Sequence, residues 1–175
     1  KFLMNGALYR GSKPVMWSVV EKTALAEAEV EYHDHTSTTI HVRFPVVSSD
    51  DARLSDASVM IWTTTPWTMP GNRAICYGPK LAYRLIEVGE VAEGSLARPG
   101  EKLVVADSLI EEICGEAGIT SHTVLGDVGH EVLADVVCAH PWRGQGYDFD
   151  VRLFPGDHVT DDTGTGFVHT APGHG

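Results

Sequence analysis

A β-rich α/β domain, rolled toward a distorted β-barrel with a few peripheral helices, is the fold class this sequence predicts. Three observations carry that expectation. Short apolar stretches of strand length recur along the chain, glycine and proline punctuate them, and only one segment has a clear helical pattern. Strands and helices do not alternate, so a doubly wound parallel sheet is not expected.

Residues 1–18 include the turn-rich Tyr9-Arg10-Gly11-Ser12-Lys13-Pro14-Val15 and read as a connecting segment into a domain over 19–175. The chain opens on Lys1 rather than Met, as expected of a fragment excised from a longer protein. Glu21 to Glu29 has helical composition, but Val30, Tyr32, Ile40, Val42 and Phe44 alternate with polar residues. That alternation predicts two strands within Glu29–Val46, joined near Thr36-Ser37. Val59–Thr64 is strongly β-prone and delivers a threonine run to Pro66. Ala82–Val88 and Lys102–Ala106 are further strands, separated by the loop Gly89–Gly100. Asp107 or Ser108 is placed to cap a helix with Leu109, Ile110, Ile113, Cys114 and Ala117 on one face, and Gly118 stands where a helix C′ glycine belongs. Short strands at Ser121–Leu125, Val136–Ala139, Asp157–Thr160 and Phe167–Thr170 complete the set.

At 175 residues and 43% hydrophobic content the chain can bury the core of one domain. No apolar run reaches bilayer-spanning length, so no membrane partner is expected, and the N-terminus has no signal-peptide pattern. Cys76, Cys114 and Cys138 cannot all pair and none lies in a CxxC. They are expected to be buried small hydrophobes in a reduced, cytoplasmic setting. The net charge of −11 excludes a surface that coats nucleic acid. An RNA partner would have to be gripped by a local patch or by another part of a larger protein.

Chemistry concentrates in two places. Trp62-Thr63-Thr64-Thr65-Pro66-Trp67-Thr68 crowds hydroxyls where a strand meets a turn, with Asn72 just beyond. β-Branching alone explains one threonine in a strand, but three in a row put hydroxyls on both faces. A threonine hydroxyl is a poor base, so its role would be to orient water or a substrate group. Gly164–Gly175 is the second place. His169 ends an apolar strand there and fits a structural role as well as a functional one, whereas His174 sits among glycines and is expected to be mobile. Gly164-Thr165-Gly166 reads as a tight turn. His33-Asp34-His35 and the group Asp157, His158, Asp161, Asp162, His169 and His174 match no established metal spacing, so no metal is expected. The G-x-S-x-G elbow, the GxxxxGK[ST] phosphate loop and GxGxxG are absent.

These residues resemble, over essentially the whole chain, the editing domain inserted in the catalytic domain of isoleucyl-tRNA synthetase, a class I aminoacyl-tRNA synthetase. The likeness runs from Tyr9–Ser18 and Thr23–Tyr32 through the Trp-Thr-Thr-Thr-Pro-Trp-Thr motif at 62–68 to Asp157-His158-Val159 and Gly164–Gly175. Valyl and leucyl relatives carry Thr-Thr-Arg-Pro in place of Thr63-Thr64-Thr65-Pro66, so Thr65 favours the isoleucyl branch.

The resemblance implies hydrolysis of valine wrongly attached to isoleucine tRNA, and of valyl-adenylate as a second substrate. Isoleucyl-tRNA synthetase is itself the standard example of the underlying limit: one methylene allows only about 150-fold discrimination, so a second sieve removes the smaller product. Carried over by position, Thr63, Thr64, Thr65 and Thr68 are the expected catalytic group. Trp62, Asn72, His169 and Thr170 are the expected substrate-binding group, with His169 bordering the side chain and rejecting isoleucine. Trp62 and Trp67 fit either packing or a platform for adenine, with packing favoured. No cofactor is expected for editing. The implied partners are the acceptor end of tRNA(Ile) and the rest of the synthetase chain, and the implied location is the cytoplasm. Beyond Gly175 the family carries an aspartate for the substrate ammonium, so weak activity is expected of this chain. HIGH, KMSKS and the family's zinc-type cysteines have no counterpart, and aminoacylation is not expected. The competing expectation is a non-catalytic module that binds the CCA end or adenosine.

Overall fold

The computed structural model describes residues 2–173. His174, expected from its neighbours to be mobile, lies outside the described residues. Two compact units divide the chain between Thr36 and Ser37. The first contains β1 (Trp17–Ser18) paired antiparallel with β2 (Thr23–Ala24), then a 3-10 turn at Glu27–Glu29. The Ala26 N–H donates to Glu29 Oε2 at 2.7 Å, closing that turn. Of the two strands expected in Glu29–Val46, the first does not form. Tyr32 is 92% exposed, so the alternation there has no sheet to pack against.

The second unit is built on β3 (Ile40–Ser48) and β4 (Ala57–Thr63), an antiparallel pair with Ile40 opposite Thr63, Val42 opposite Ile61 and Phe44 opposite Val59. Strand side chains alternate between faces, so these six share one face, and Phe44, Val59 and Ile61 are fully buried. After them come β5 (Ala74–Tyr77), β6 (Tyr83–Val88), β7 (Lys102–Ala106), α1 (Ile110–Ala117), β8 (His122–Asp127), α2 (His130–Asp135), β9 (Val137–Ala139), β10 (Asp150–Pro155) and β11 (Phe167–Thr170). One mixed sheet runs in the order β11-β5-β10-β9-β3-β4-β7-β6-β8. Its arm from β11 to β4 rolls over until β11 packs against β4. Among the described residues no hydrogen-bonded ladder joins those two strands, so the barrel stays open along that seam.

Local sequence explains most of the elements. α1 buries Ile110, Ile113 and Cys114, and it stops at Gly118, whose φ of +67° places it in the left-handed region that glycine tolerates. The expected cap is not used. Asp107 and Ser108 lie in a 3-10 turn before α1, where Asp107 accepts from Arg84 Nε at 2.9 Å and Ser108 Oγ donates to Asp161 at 2.7 Å. Their side chains are drawn to partners distant in sequence, and Leu109 occupies the cap position instead. Asp157–Thr160 is a turn and not a strand, closed by the Val159 N–H to Gly156 O at 3.1 Å. Strands β5 and β10 and helix α2 were not anticipated. β5 has four residues, β10 interrupts its apolar pair with Asp150 and Arg152, and α2 buries only Leu133.

Tyr83 clamps the seam from beneath. Its hydroxyl donates to Gly166 O at 2.6 Å and accepts from the Gly78 N–H at 2.7 Å, while its ring packs on Phe167 at 4.6 Å between centroids. Burial pushes the Tyr83 phenol up to about 12, so it stays protonated and donating. The Ala106 N–H donates to Thr165 O at 3.0 Å, fixing the neighbouring peptide. Gly166 has φ +76°, and a Cβ on it would stand 2.4 Å from Ala106 Cβ. Gly166→Ala is therefore expected to lower stability by about 1–3 kcal/mol from backbone strain alone, with the clash adding to it. Urea unfolding of the two proteins measures the difference.

Candidate active site at the open seam

The threonine run leaves β4 at Thr63 and turns through the 3-10 segment Pro66–Gly71. Pro66 stands in its first turn, where the missing N–H costs nothing. Thr63 Oγ1 accepts from the Thr65 N–H at 3.1 Å and lies 3.2 Å from Thr65 Oγ1, so two hydroxyls are paired side by side. Thr68 Oγ1 donates back to Thr65 O at 2.7 Å. From the far motif comes His169 on β11, held opposite Ile75 of β5.

One chain of hydrogen bonds joins the two motifs. Asn72 Nδ2 donates to Ala74 O at 2.9 Å and to His169 Nδ1 at 2.7 Å, and His169 Nε2 lies 2.9 Å from Thr68 Oγ1. The donor inventory settles the directions. With the Asn72 amide oriented by Ala74 O, His169 Nδ1 accepts, so the neutral ring carries its proton on Nε2 and donates it to Thr68 Oγ1. Thr68 in turn spends its own proton on Thr65 O. The Thr68–His169 contact therefore runs the wrong way for a base-activated nucleophile, which would need the imidazole to accept.

Both motifs wall a single cavity of about 290 Å³. Trp62, Thr63, Thr64 and Thr65 line one side, and Gly164 through His169 line the other, with His158, Thr160 and Thr163 at its edge. Thr64 is exposed at the mouth, and its carbonyl accepts from Ser37 Oγ at 2.8 Å. Thr68 and Asn72 are buried behind the wall, bonded to His169 rather than facing the cavity. Thr170 points away from it, with its Oγ1 3.5 Å from Cys76 Sγ. Trp62 is half-buried and flanks Gly164, where a Cβ would meet its ring at 3.4 Å. Packing does not account for Trp67, which is 68% exposed.

Thr160, Thr163 and Thr165 are wall residues that motif reasoning passed over. A usable signal existed, since three hydroxyls within six residues repeat the pattern of the 62–68 run. Among the described residues no carboxylate lines the cavity, and its polar side chains are alcohols and imidazoles. Among the described residues no three His, Cys, Asp or Glu side chains gather as a metal set. The thiols stand apart from the chemistry: burial pushes Cys138 up to about 12 and raises Cys114, while Cys76 is half-buried. A second cavity of about 410 Å³ lies beside β3 and α1, where Arg43 pairs with Glu101. Burial lowers the pKa of His41 there, against the pull of Glu116.

The comparisons with known proteins agree with this geometry. The description "tRNA synthetases class I (I, L, M and V)" matches residues 1–160. The chain belongs to that family of class I tRNA synthetases. Its sequence places it in the isoleucyl branch, and its fold is the editing-domain fold. It is 58% identical to the isoleucine–tRNA ligase of Bradyrhizobium diazoefficiens and 59% identical to that of Rhodopseudomonas palustris, covering 100% of this chain and 18% of each relative. The chain thus spans about a fifth of the length of these relatives. Two solved structures share the fold. One is GlLeuRS-CP1, with TM-score 0.57 and 14% identity over 77% of this chain and 53% of that one. The other is the P. knowlesi cytosolic leucyl-tRNA synthetase editing domain, with TM-score 0.53 and 9% identity over 80% and 61%.

The direction of the Asn72–His169–Thr68 chain is directly measurable. Proton–nitrogen correlation spectra of the neutral His169 ring are expected to show the Nε2–H tautomer. Asn72→Ala is expected to cost about 1–3 kcal/mol of stability, because it strips a buried acceptor of its donor. A ring carrying its proton on Nδ1 would reverse the assignment.

Proposed function

We propose that this chain is the proofreading site of an isoleucyl-tRNA synthetase, hydrolysing valine esterified to the terminal ribose of tRNA(Ile). Valyl-adenylate is a second substrate of the same chemistry. The observation that carries the proposal is the convergence of the Thr63–Thr65 hydroxyls and His169 on one small cavity. Its volume, about 290 Å³, suits a short acyl group held in part by the surrounding wall.

In the proposed reaction, water oriented by the threonine hydroxyls adds to the ester carbonyl carbon. The bond from that carbon to the ribose oxygen breaks, the proton passes to the ribose oxygen, and valine leaves as the free acid. Threonine is too weak a base to take the proton itself, so its contribution is positioning and hydrogen bonding to the developing charge. The adjacent ribose hydroxyl is available to assist, and no covalent enzyme intermediate is needed. His169 acts as a wall. Anchored by Asn72 and Thr68, it cannot retreat to admit the extra methyl of isoleucine. No cofactor enters this scheme. The partners are the tRNA acceptor end and the remainder of the synthetase, working in the cytoplasm. Among the described residues no helix is long and apolar enough to cross a membrane.

Among the described residues no carboxylate lines the cavity, which favours a second reading, a non-catalytic module that holds the adenosine end of tRNA. The experiment that separates the two is hydrolysis of Val-tRNA(Ile) by a full-length isoleucine–tRNA ligase carrying this chain as its insert. Thr65→Val is expected to slow clearance about tenfold by removing one hydrogen bond at the reacting centre. His169→Ala is expected to let Ile-tRNA(Ile) be hydrolysed, and a chelator to change nothing. Tight binding of the tRNA end with no hydrolysis above a ligase lacking the insert would establish the binding module instead.

A further inference from the structure

Buried polar atoms in folded proteins nearly always have a partner, so an exception calls for an explanation. Thr165 is 1% exposed, and its Oγ1 has no hydrogen-bond partner among the described residues. Its own carbonyl and the next are already committed, since Thr165 O accepts from the Ala106 N–H at 3.0 Å and Gly166 O accepts from Tyr83 at 2.6 Å. The backbone is further pinned by positive φ at Gly164 (+82°) and Gly166 (+76°), and Ala106 closes the space behind Gly166. The fold thus holds Thr165 rigidly by its main chain and leaves its side chain unanswered. The residue also belongs to the wall of the cavity that the paired Thr63 and Thr65 hydroxyls line.

We propose that Thr165 is a further substrate-contacting residue, whose hydroxyl finds its missing hydrogen bond in an oxygen of the nucleoside ester seated in the cavity. This rests on the proofreading reading above and extends it to a residue on the opposite wall. Among the described residues that line the cavity there is no carboxylate, lysine or arginine, so the partner argued for the Thr165 hydroxyl is a neutral oxygen. A hydroxyl both donates and accepts, so it serves a ribose hydroxyl or the ester carbonyl equally well. The oxygen is sealed from bulk water in the free protein, and a change of staggered χ1 rotamer is the movement that contact with a ligand would require. Binding energy is thereby reserved for the occupied state, because the free protein carries the cost of an unmet buried donor.

Thr165→Val replaces the hydroxyl with a methyl of the same shape and separates binding from folding. The probe is a hydrolysis-resistant valyl-adenosine amide, titrated calorimetrically into a full-length ligase carrying this chain as its insert and into a ligase lacking the insert, with thermal unfolding of this chain measured in parallel. Thr165→Val is expected to bind about three- to tenfold more weakly, the loss of one neutral hydrogen bond. Its Tm is expected to equal or exceed that of the unsubstituted chain, and Thr165→Ser is expected to recover the affinity. Unchanged affinity in Thr165→Val overturns the inference. So does a lowered Tm, which would mean that the hydroxyl already has a partner in the free protein, and so does failure of Thr165→Ser to rescue. If the unsubstituted ligase binds the probe no better than the ligase lacking the insert, the proofreading reading itself falls, and Thr165 with it.

Discussion

Everything distinctive about this site depends on Asn72 holding His169. The amide uses both of its protons, one on Ala74 O and one on the imidazole, and so connects the turn after β4 to the strand β11. That connection crosses the one place where the rolled sheet has no ladder between the strands it brings together. A closed barrel would have filled this position with backbone hydrogen bonds. Here side chains share the bridging with isolated backbone bonds such as the Arg73 N–H to Thr170 O at 2.9 Å, and a cavity remains. The arrangement also leaves Asn72 Oδ1 buried without a partner, a cost the site carries so that the imidazole has a fixed orientation.

The hydrogen-bond directions limit what these side chains can do chemically. Aligned as it is, the Thr68–His169 pair cannot generate an alkoxide, and the Thr63 and Thr65 hydroxyls share their hydrogen bond with each other. Such a site polarises and positions but makes no strong nucleophile of its own. The net charge of −11 fits the same picture, since a chain this acidic gains little from general attraction to RNA. Recognition would then fall to the local shape of the cavity and to whatever larger assembly delivers the substrate.

Much of this was legible in the sequence where local chemistry decides the outcome. The β4 run, the strands β6 and β7, the glycine that ends α1 and the two motifs of the seam all follow from propensity, periodicity or composition. What stayed hidden depends on neighbours far along the chain. β5 and β10 are ordinary four- and six-residue stretches that become strands because they pair in parallel with each other, Ala74 with Arg152. Asp107 was well placed to cap α1, but Arg84 claims it. The alternation near Tyr32 was real and found no sheet to pack against. Thr165 was dismissed as part of a tight turn, and its turn is real; only the closure of β11 against β4 shows that its hydroxyl is stranded in a wall.

The wide separation of the two halves of the seam has a temporal consequence. Thr68 and His169 are 101 residues apart, and Asn72 and His169 are 97 apart. During synthesis a ribosome adding about 5–20 residues per second needs several seconds to pass from one half to the other. Throughout that interval β4 and its threonines exist without their opposite wall, and the cavity has only one side. The cavity is therefore completed only after β11 has been made and has packed against β4.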